Sequence, residues 1–420
     1  MTFGLLGIIV LICAMLGVPL FAVIGGAAIA AFSINGIDSS AVSIEIYRLA
    51  SAPTLLTIPL FTFAGYIMAE SGAPKRLLRF ADALIGWLPG GIAIVGLIVS
   101  SFFTAFTGAS GVTIVALGGL LYPILRNEGF SEKYTMGFIT TSGSLGLLFP
   151  PSLPIILYGI VAKVDIDELF KAGIVPGILL IVVLSLWAMK NGTWKKERVQ
   201  FDKTELWVSF KETLPELFLP VAVLGGIYGG ITTVSEASAF TAFYILIIEC
   251  FYYKDLSIDK DIPKIIVESM TLVGAILIIL CCALGLTNFL VDEEVPAQIF
   301  DLMRGVLDNK YSFLLFLNIF LLIVGSLMDI FSAIIVVVPL ILPIASEFDI
   351  HPIHLAIIFL TNLEIGYITP PVGINLFISS IRFNKDVTEL YRASFPFLIL
   401  LLIALAIITY VPSLSLLWVK

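Results

Sequence analysis

Residues 120–154 read LLYPILRNEGFSEKYTMGFITTSGSLGLLFPPSLP, and residues 340–374 read LILPIASEFDIHPIHLAIIFLTNLEIGYITPPVGI. Laid on each other without a gap, at the shift of 220 residues that takes 120 to 340, the two agree in their punctuation. Pro123 meets Pro343, Ile124 meets Ile344, Gly146 meets Gly366, and Pro150-Pro151 meets Pro370-Pro371. A one-residue slip then aligns DELFKA, from Asp167, with TELYRA, from Thr388, and Pro176 meets Pro396. Self-similarity at a fixed shift marks a chain built from two copies of one unit. Proline has no backbone N–H and clashes with the preceding helical turn, so GLLFPPSLP and GYITPPVGI each break a helix. The broken helices are expected over 134–162 and 351–381.

The medium around these helices follows from composition. Of 420 residues, 59% are hydrophobic and 13% charged, and the mean hydropathy of +1.08 lies far outside the range of soluble domains. Crossing the hydrocarbon takes about 20 apolar residues per helix, and such stretches recur along the whole chain. The fold class is therefore an all-α polytopic membrane protein with two structural repeats. A membrane barrel, whose strands alternate over about 10 residues, is excluded. The apolar run 3–32 is too long for a signal peptide and lacks a basic segment before it, so it reads as a retained span. The expected organisation is N-terminal scaffold over 1–56, a first repeat over 57–190, a cytoplasmic linker over 191–213, scaffold helices over 214–263 and a second repeat over 264–420.

Basic residues orient the two repeats oppositely. The loop holding Arg126 and Lys133 is basic while its partner SEFDIHPIH has no Lys or Arg, and APKRLLR, from Ala73, is basic while its partner DEEVPAQ is not. With the Arg126 loop inside, the basic loops after Lys190, Lys254 and Arg382 also fall inside, as the positive-inside rule asks. KVDIDELFK, from Lys163, falls outside despite its two lysines. The net charge of -8 says nothing about orientation or partners, and no nucleic-acid partner is expected. The four cysteines sit in apolar segments without metal-site spacing, so they read as buried hydrophobes.

Ahead of each break lies a run interrupted by small polar residues, read as a re-entrant hairpin: 91–125, turning at 107–111, and 313–342, turning near 325–332. Irregular backbone at membrane depth is tolerated only where it lines a cavity, and paired broken helices in inverted repeats mark transporter sites. The groups on offer are the hydroxyls of Thr107, Ser110, Thr113, Ser142, Ser144, Ser152, Ser332 and Thr369, the amide of Asn362, and freed carbonyls. These are hard oxygen ligands, suited to Na⁺ and not to a transition metal. Two acids stand inside apolar runs, Asp329 at the second hairpin turn and Glu364 before the second break; a carboxylate so placed is a functional candidate by default. Glu236, in TTVSE, reads as a helix cap.

Gly108-Ala109-Ser110-Gly111 also fits the G-x-S-G pattern of intramembrane serine proteases. That alternative needs a base beside Ser110. The chain has only His351 and His354, both read as lying in an outer polar loop, and the hairpins contain no lysine in their apolar runs. Hydrolysis is therefore a remote alternative, and no enzymatic activity is expected.

Five motifs carry a resemblance to a known family: TIPLFTFAGYIMAESG from Thr57, FFTAFTGASGVTIVALGGLLYP from Phe102, GSLGLLFPPSLPIILYG from Gly143, GGIYGGITTVSEASAF from Gly225 and TPPVGINLF from Thr369. In this order they resemble the large membrane subunit, often called DctM, of tripartite ATP-independent periplasmic (TRAP) transporters, nearly end to end. Two departures stand out. The family usually has Ser-Ser where this chain has Ala109-Ser110, and its mid-chain T-P-T-E-A-A reads here Thr233-Val234-Ser235-Glu236-Ala237-Ser238.

The resemblance implies an elevator-type transport domain against a fixed scaffold, in a bacterial inner membrane. It implies co-transported Na⁺, no organic cofactor, an organic acid substrate such as a C4-dicarboxylate or a sialic-acid-like carboxylate, a periplasmic substrate-binding protein and a small four-helix membrane subunit. Carried over by motif, Na⁺ would sit at Thr107, Gly108 and Ser110 with Ser142 and Gly146, and at Gly325 with Gly366 and Thr369. The substrate would lie near Ser110, Ser152 and Asp329, with Asn362 and Asn375 as further candidates. Without an intramembrane arginine for the carboxylate, amides at helix N-termini are the expected partners. The nearest competing reading is a stand-alone Na⁺ or H⁺ symporter of dicarboxylate- or gluconate-type acids.

Overall fold

The computed structural model describes residues 10, 12–13, 16–36, 38, 40, 44, 47, 51–88, 90–191, 201–304 and 309–419. The span expected over 3–32 lies partly outside them; its described part enters α1 (Leu20–Ile34). Then follow α2 (Thr57–Glu70), α3 (Ala73–Ile85), α4 (Gly91–Thr107), α5 (Ser110–Asn127), α6 (Glu132–Ser142), α7 (Leu153–Ala162) and α8 (Ile166–Asn191). The chain continues with α9 (Lys203–Tyr228), α10 (Val234–Ile247), α11 (Asp261–Asp292), α12 (Val295–Arg304), α13 (Lys310–Leu327), α14 (Ile330–Glu347), α15 (Pro352–Gly366), α16 (Ile374–Phe383), α17 (Val387–Tyr410) and the short α18 (Ser413–Leu416). Among the described residues, six helices are long and apolar enough to cross a membrane, or up to eight if each bent pair is one span. No strand occurs among them. The protein is an all-α, multi-pass membrane protein.

The shift found in the sequence recurs in the helix ends. Thr107 and Leu327 close α4 and α13, Ser110 and Ile330 open α5 and α14, and Asn127 and Glu347 close them, each pair 220 residues apart. Each arm pair is a helical hairpin with a two-residue tip, Gly108-Ala109 and Met328-Asp329. After each hairpin comes a helix that unwinds before a double proline and resumes beyond it: α6 and α7 around Pro150-Pro151, α15 and α16 around Pro370-Pro371. Both Pro-Pro bonds are cis.

Packing exchanges these parts between repeats. α5 of the first hairpin lies against α16, and α14 of the second hairpin lies against α7; α6 lies along α17, and α15 along α8. Within each repeat, a glycine lets the break touch the first hairpin arm. A Cβ on Gly146 would stand 2.1 Å from Ser101 O and 2.6 Å from Ala105 N, and one on Gly366 would stand 2.5 Å from the carbonyl carbon of Gly325. Ala105 and Gly325 are themselves equivalent under the shift, so the repeat extends to a close backbone contact of each break.

Two elements differ from, or complete, the sequence reading. The expected linker 191–213 lies outside the described residues over 192–200, but from Lys203 it is already α9, opened by Asp202, whose side chain accepts from Thr204 N. Glu236 does close a capping box with Thr233 at the start of α10. The bend between α2 and α3, 72°, is held by a charge cluster. The Arg76 guanidinium reaches Glu216 and Asp255, and also both carboxylate oxygens of Glu249 at 2.9 Å, while stacking 3.6 Å from the Tyr253 ring centre. Charges this deeply buried are sustained by such pairing.

Candidate functional site

The first hairpin tip is built from glycine and hydroxyls. Gly108 ends α4 in the left-handed region at φ 63°, and a Cβ there would stand 2.5 Å from the Cβ of Leu153, the first residue of α7. Only glycine lets the chain turn back so close to the broken helix. Thr104 Oγ1 lies within hydrogen-bond reach of Ser100 O (2.9 Å), Thr113 Oγ1 (2.9 Å) and Gly143 O (2.8 Å), which joins both arms to the end of α6. Thr107 is fully buried, its hydroxyl 3.4 Å from both the N and the O of Ala109. α5 then opens with Ala109 as its cap residue, and among the described residues no side-chain bond caps its leading amides. A helix start with unbonded N–H groups is a ready partner for a carboxylate.

The second tip is closed by its own acid. Asp329 caps α14: one carboxylate oxygen accepts from Phe331 N and Ser332 N, both at 3.0 Å, and the other from the Ser332 hydroxyl. The tip is pinned to the second broken helix by Ile330 N, which donates to Tyr367 Oη at 2.7 Å, and by Gly373 N, which donates to Ser326 O at 3.0 Å. Gly325 lies inside α13, short of the turn, where it faces Leu363 and Gly366. Thr369 Oγ1 bonds back to Ile365 O at 2.8 Å.

The two repeats meet at their breaks. Ser110 Oγ donates to Asn375 Oδ1 at 2.7 Å, linking the first tip to α16. Ser144 and Glu364, equivalent under the 220-residue shift, approach each other, with Ser144 Oγ 3.5 Å from Glu364 O. Among the described residues, neither carboxylate oxygen of the fully buried Glu364 has a hydrogen-bond partner, and the same holds for the buried hydroxyls of Ser152 and Thr141. Ser142 Oγ bonds back to Ile139 O at 3.3 Å. Asn362 is brought elsewhere: its Nδ2 donates to Asn318 Oδ1 at 2.6 Å, and Asn318 in turn donates to Thr409 Oγ1 at 3.1 Å. That network, between α13, α15 and α17, holds a candidate residue away from both tips.

The histidines correct the reading of an outer polar loop. His351 caps α15, its Nδ1 accepting from Ile353 N, but His354 is buried inside the helix, with Ser415 Oγ and Thr409 O each 3.2 Å from a ring nitrogen. Only the last three residues of DIHPIH form the first turn of a buried helix, which places His354 on its inner face. The hydroxyl of Ser110 is bonded to an amide and to no base. Sequence reading also missed Asn318, Tyr367 and Thr409 as structural partners, and left Thr104 out of the candidate ligands. Lone polar residues in apolar arms were the available signal for Thr104 and Asn318; Tyr367 and Thr409 carried none.

Comparison with known proteins agrees with this architecture. Residues 6–414 match the family described as "Tripartite ATP-independent periplasmic transporter, DctM component". A C4-dicarboxylate TRAP transporter large permease protein DctM from Rhodobacter capsulatus is 33% identical, over 92% of this chain and 91% of that protein. An isethionate TRAP transporter permease protein DctMQ from Oleidesulfovibrio alaskensis is 36% identical over 95% of this chain, which spans only 63% of that longer protein. The crystal structure of the Alcanivorax borkumensis YdaH transporter superposes with a TM-score of 0.62, covering 90% of this chain and 88% of that one at 12% identity, a likeness of fold.

Proposed function

The chain belongs to the DctM component family of tripartite ATP-independent periplasmic transporters, and from that membership we propose that it imports an organic acid across the bacterial inner membrane by Na⁺ symport. The protein is a transporter component and not a hydrolase. C4-dicarboxylates head the proposed substrates, because the relative from Rhodobacter capsulatus is named for them. A periplasmic binding protein delivers the acid, and a small four-helix membrane subunit completes the scaffold.

One observation supports the reading above the rest: the hydroxyl-lined first tip touches both broken helices, at Leu153 and at Asn375. In the proposed site, Na⁺ is held by Thr107, Gly108 and Ser110 with the 142–146 stretch, and a second Na⁺ lies by Gly325, Gly366 and Thr369. The substrate sits between, its carboxylate on the leading amides of α5 and its remaining polar groups near Ser152 and Asp329. Na⁺ binds first, neutralises the carbonyl-rich tips and makes the anion's entry favourable; by linkage the substrate tightens Na⁺ by the same factor. The repeats, oppositely oriented in the membrane, carry the loaded site across as a unit of hairpins and broken helices against α1, α9, α10 and α11.

Reconstitution tests this. The chain with its small subunit, in proteoliposomes with an inward Na⁺ gradient, accumulates labelled acid only when the binding protein is supplied. Accumulation of free acid without that protein would establish the stand-alone symporter instead.

A further inference from the structure

We propose that Asn375 is a positioning residue of the first hairpin tip: it takes the hydrogen of the Ser110 hydroxyl and so commits Ser110 Oγ to a cation and against a carboxylate. The inference rests on the reading of that tip as a Na⁺ site and states which chemistry its serine serves.

The orientation of the Asn375 amide is fixed by what surrounds it. Asn375 is fully buried on α16, within hydrogen-bond distance of Thr140 O at 3.2 Å and Ser110 Oγ at 2.7 Å. A carbonyl oxygen only accepts, so the Nδ2 end must face Thr140. Oδ1 then faces Ser110, and because an amide oxygen also only accepts, the serine must donate. The Thr140 carbonyl is open to Asn375 because α6 ends at Ser142 and Ser144 N turns to Thr141 O instead. One turn along α16, Ser379 Oγ lies 2.9 Å from Thr140 Oγ1, whose own hydrogen goes to Met136 O at 2.8 Å, so Ser379 donates and holds the two helices in register.

A serine hydroxyl has one hydrogen. With it directed to Asn375, Ser110 turns only lone pairs toward the tip. Lone pairs suit Na⁺, or the hydrogen of a substrate hydroxyl or amine; a carboxylate oxygen in the same place meets lone pairs and is repelled. Ser110 was a candidate for both ligands, and the bond to Asn375 separates the roles: the cation takes the hydroxyl, and the anion takes the backbone amides. The bond also crosses repeats, since Asn375 lies 265 residues beyond Ser110, so the tip's ligand is set by the opposite broken helix.

The complete transporter in proteoliposomes gives two readouts: the Na⁺ concentration for half-maximal uptake at saturating acid, and KM for the acid at saturating Na⁺. Asn375→Ala raises the first by about 3- to 10-fold, the range of one net hydrogen bond, and leaves KM within about twofold, since the amides are untouched. Ser110→Ala gives a similar shift, and the double variant adds little to either. The size-matched Asn375→Leu repeats the result if the alanine variant unfolds in a thermal assay. A raised KM with unmoved Na⁺ half-activation would place Asn375 on the substrate and overturn the proposal, as would additive effects of the two substitutions. Wild-type uptake indifferent to Na⁺ would overturn it together with the reading it rests on, and that is seen before any variant is compared.

Discussion

At the first hairpin tip, α5 starts behind Ala109 with no side chain on its leading amides; at the second, α14 starts behind Asp329, whose carboxylate already holds the amides of Phe331 and Ser332. The two tips occupy equivalent places in the repeat, 220 residues apart, yet the helix start of one has no cap side-chain bond and that of the other is held by an anion of its own. A repeat supplies the same backbone twice, and single side chains then make the two copies unlike. On this view the asymmetry, more than the symmetry, directs the substrate carboxylate to the first tip.

The largest effects belong to what the repeats share. Gly146→Val and Gly366→Val each place a branched side chain where even a Cβ comes within 2.1 Å and 2.5 Å of backbone. Both are expected to abolish folded transporter, measured as the amount recovered from membranes with a thermal transition; a tolerated valine at either would break the claimed equivalence. Next comes the exchange of the difference itself. Ala109→Asp gives the first tip the cap of the second, and is expected to stabilise the start of α5 by about 1 kcal/mol while lowering uptake at least about tenfold, because the amides are no longer free for substrate. Raised stability with undiminished uptake would remove those amides from the site.

Smaller effects probe the second tip. Asp329→Asn retains a good cap and should leave the unfolding temperature nearly unchanged, whereas Asp329→Ala costs about 1 kcal/mol; equal losses would mean that Asp329 acts by charge and not as a cap. The smallest effect is expected at the Lys385–Glu132 pair, 3.0 Å apart where the end of α16 meets the start of α6. The Glu132 carboxylate holds the Lys385 ammonium above the usual lysine range, but exposed pairs contribute little. Lys385→Gln should leave uptake and unfolding unchanged within error, and a clear loss would promote this contact to a joint between the repeats.

Much of the framework was legible in the chain. Double prolines, the Gly146/Gly366 pair and one fixed shift pointed to where helices break and turn, since backbone requirements leave marks in residue type. Partnerships across long separations were not legible. Nothing local announces that Ser110 will meet Asn375, that Asn362 will turn to Asn318, or that His354 will be buried against Ser415, because each depends on which helix packs beside it. Asp329 was singled out as an acid in an apolar run, but its bond to its own helix start is invisible until the turn is placed two residues beyond Leu327. The start of α9 inside the expected linker shows the reverse case, where a polar composition concealed a helix opened by Asp202.

The central claim is that Na⁺ at the hairpin tips drives the uptake of an organic acid, and it is tested most directly by controlling the Na⁺ gradient alone. Proteoliposomes holding the complete transporter and its binding protein are loaded so that Na⁺ runs inward, is equal on both sides, or is replaced by K⁺, with labelled C4-dicarboxylates tested first. The account predicts accumulation under the inward Na⁺ gradient only, and its loss when that gradient is collapsed. Equal accumulation in K⁺, or accumulation that follows a proton gradient without Na⁺, would contradict it.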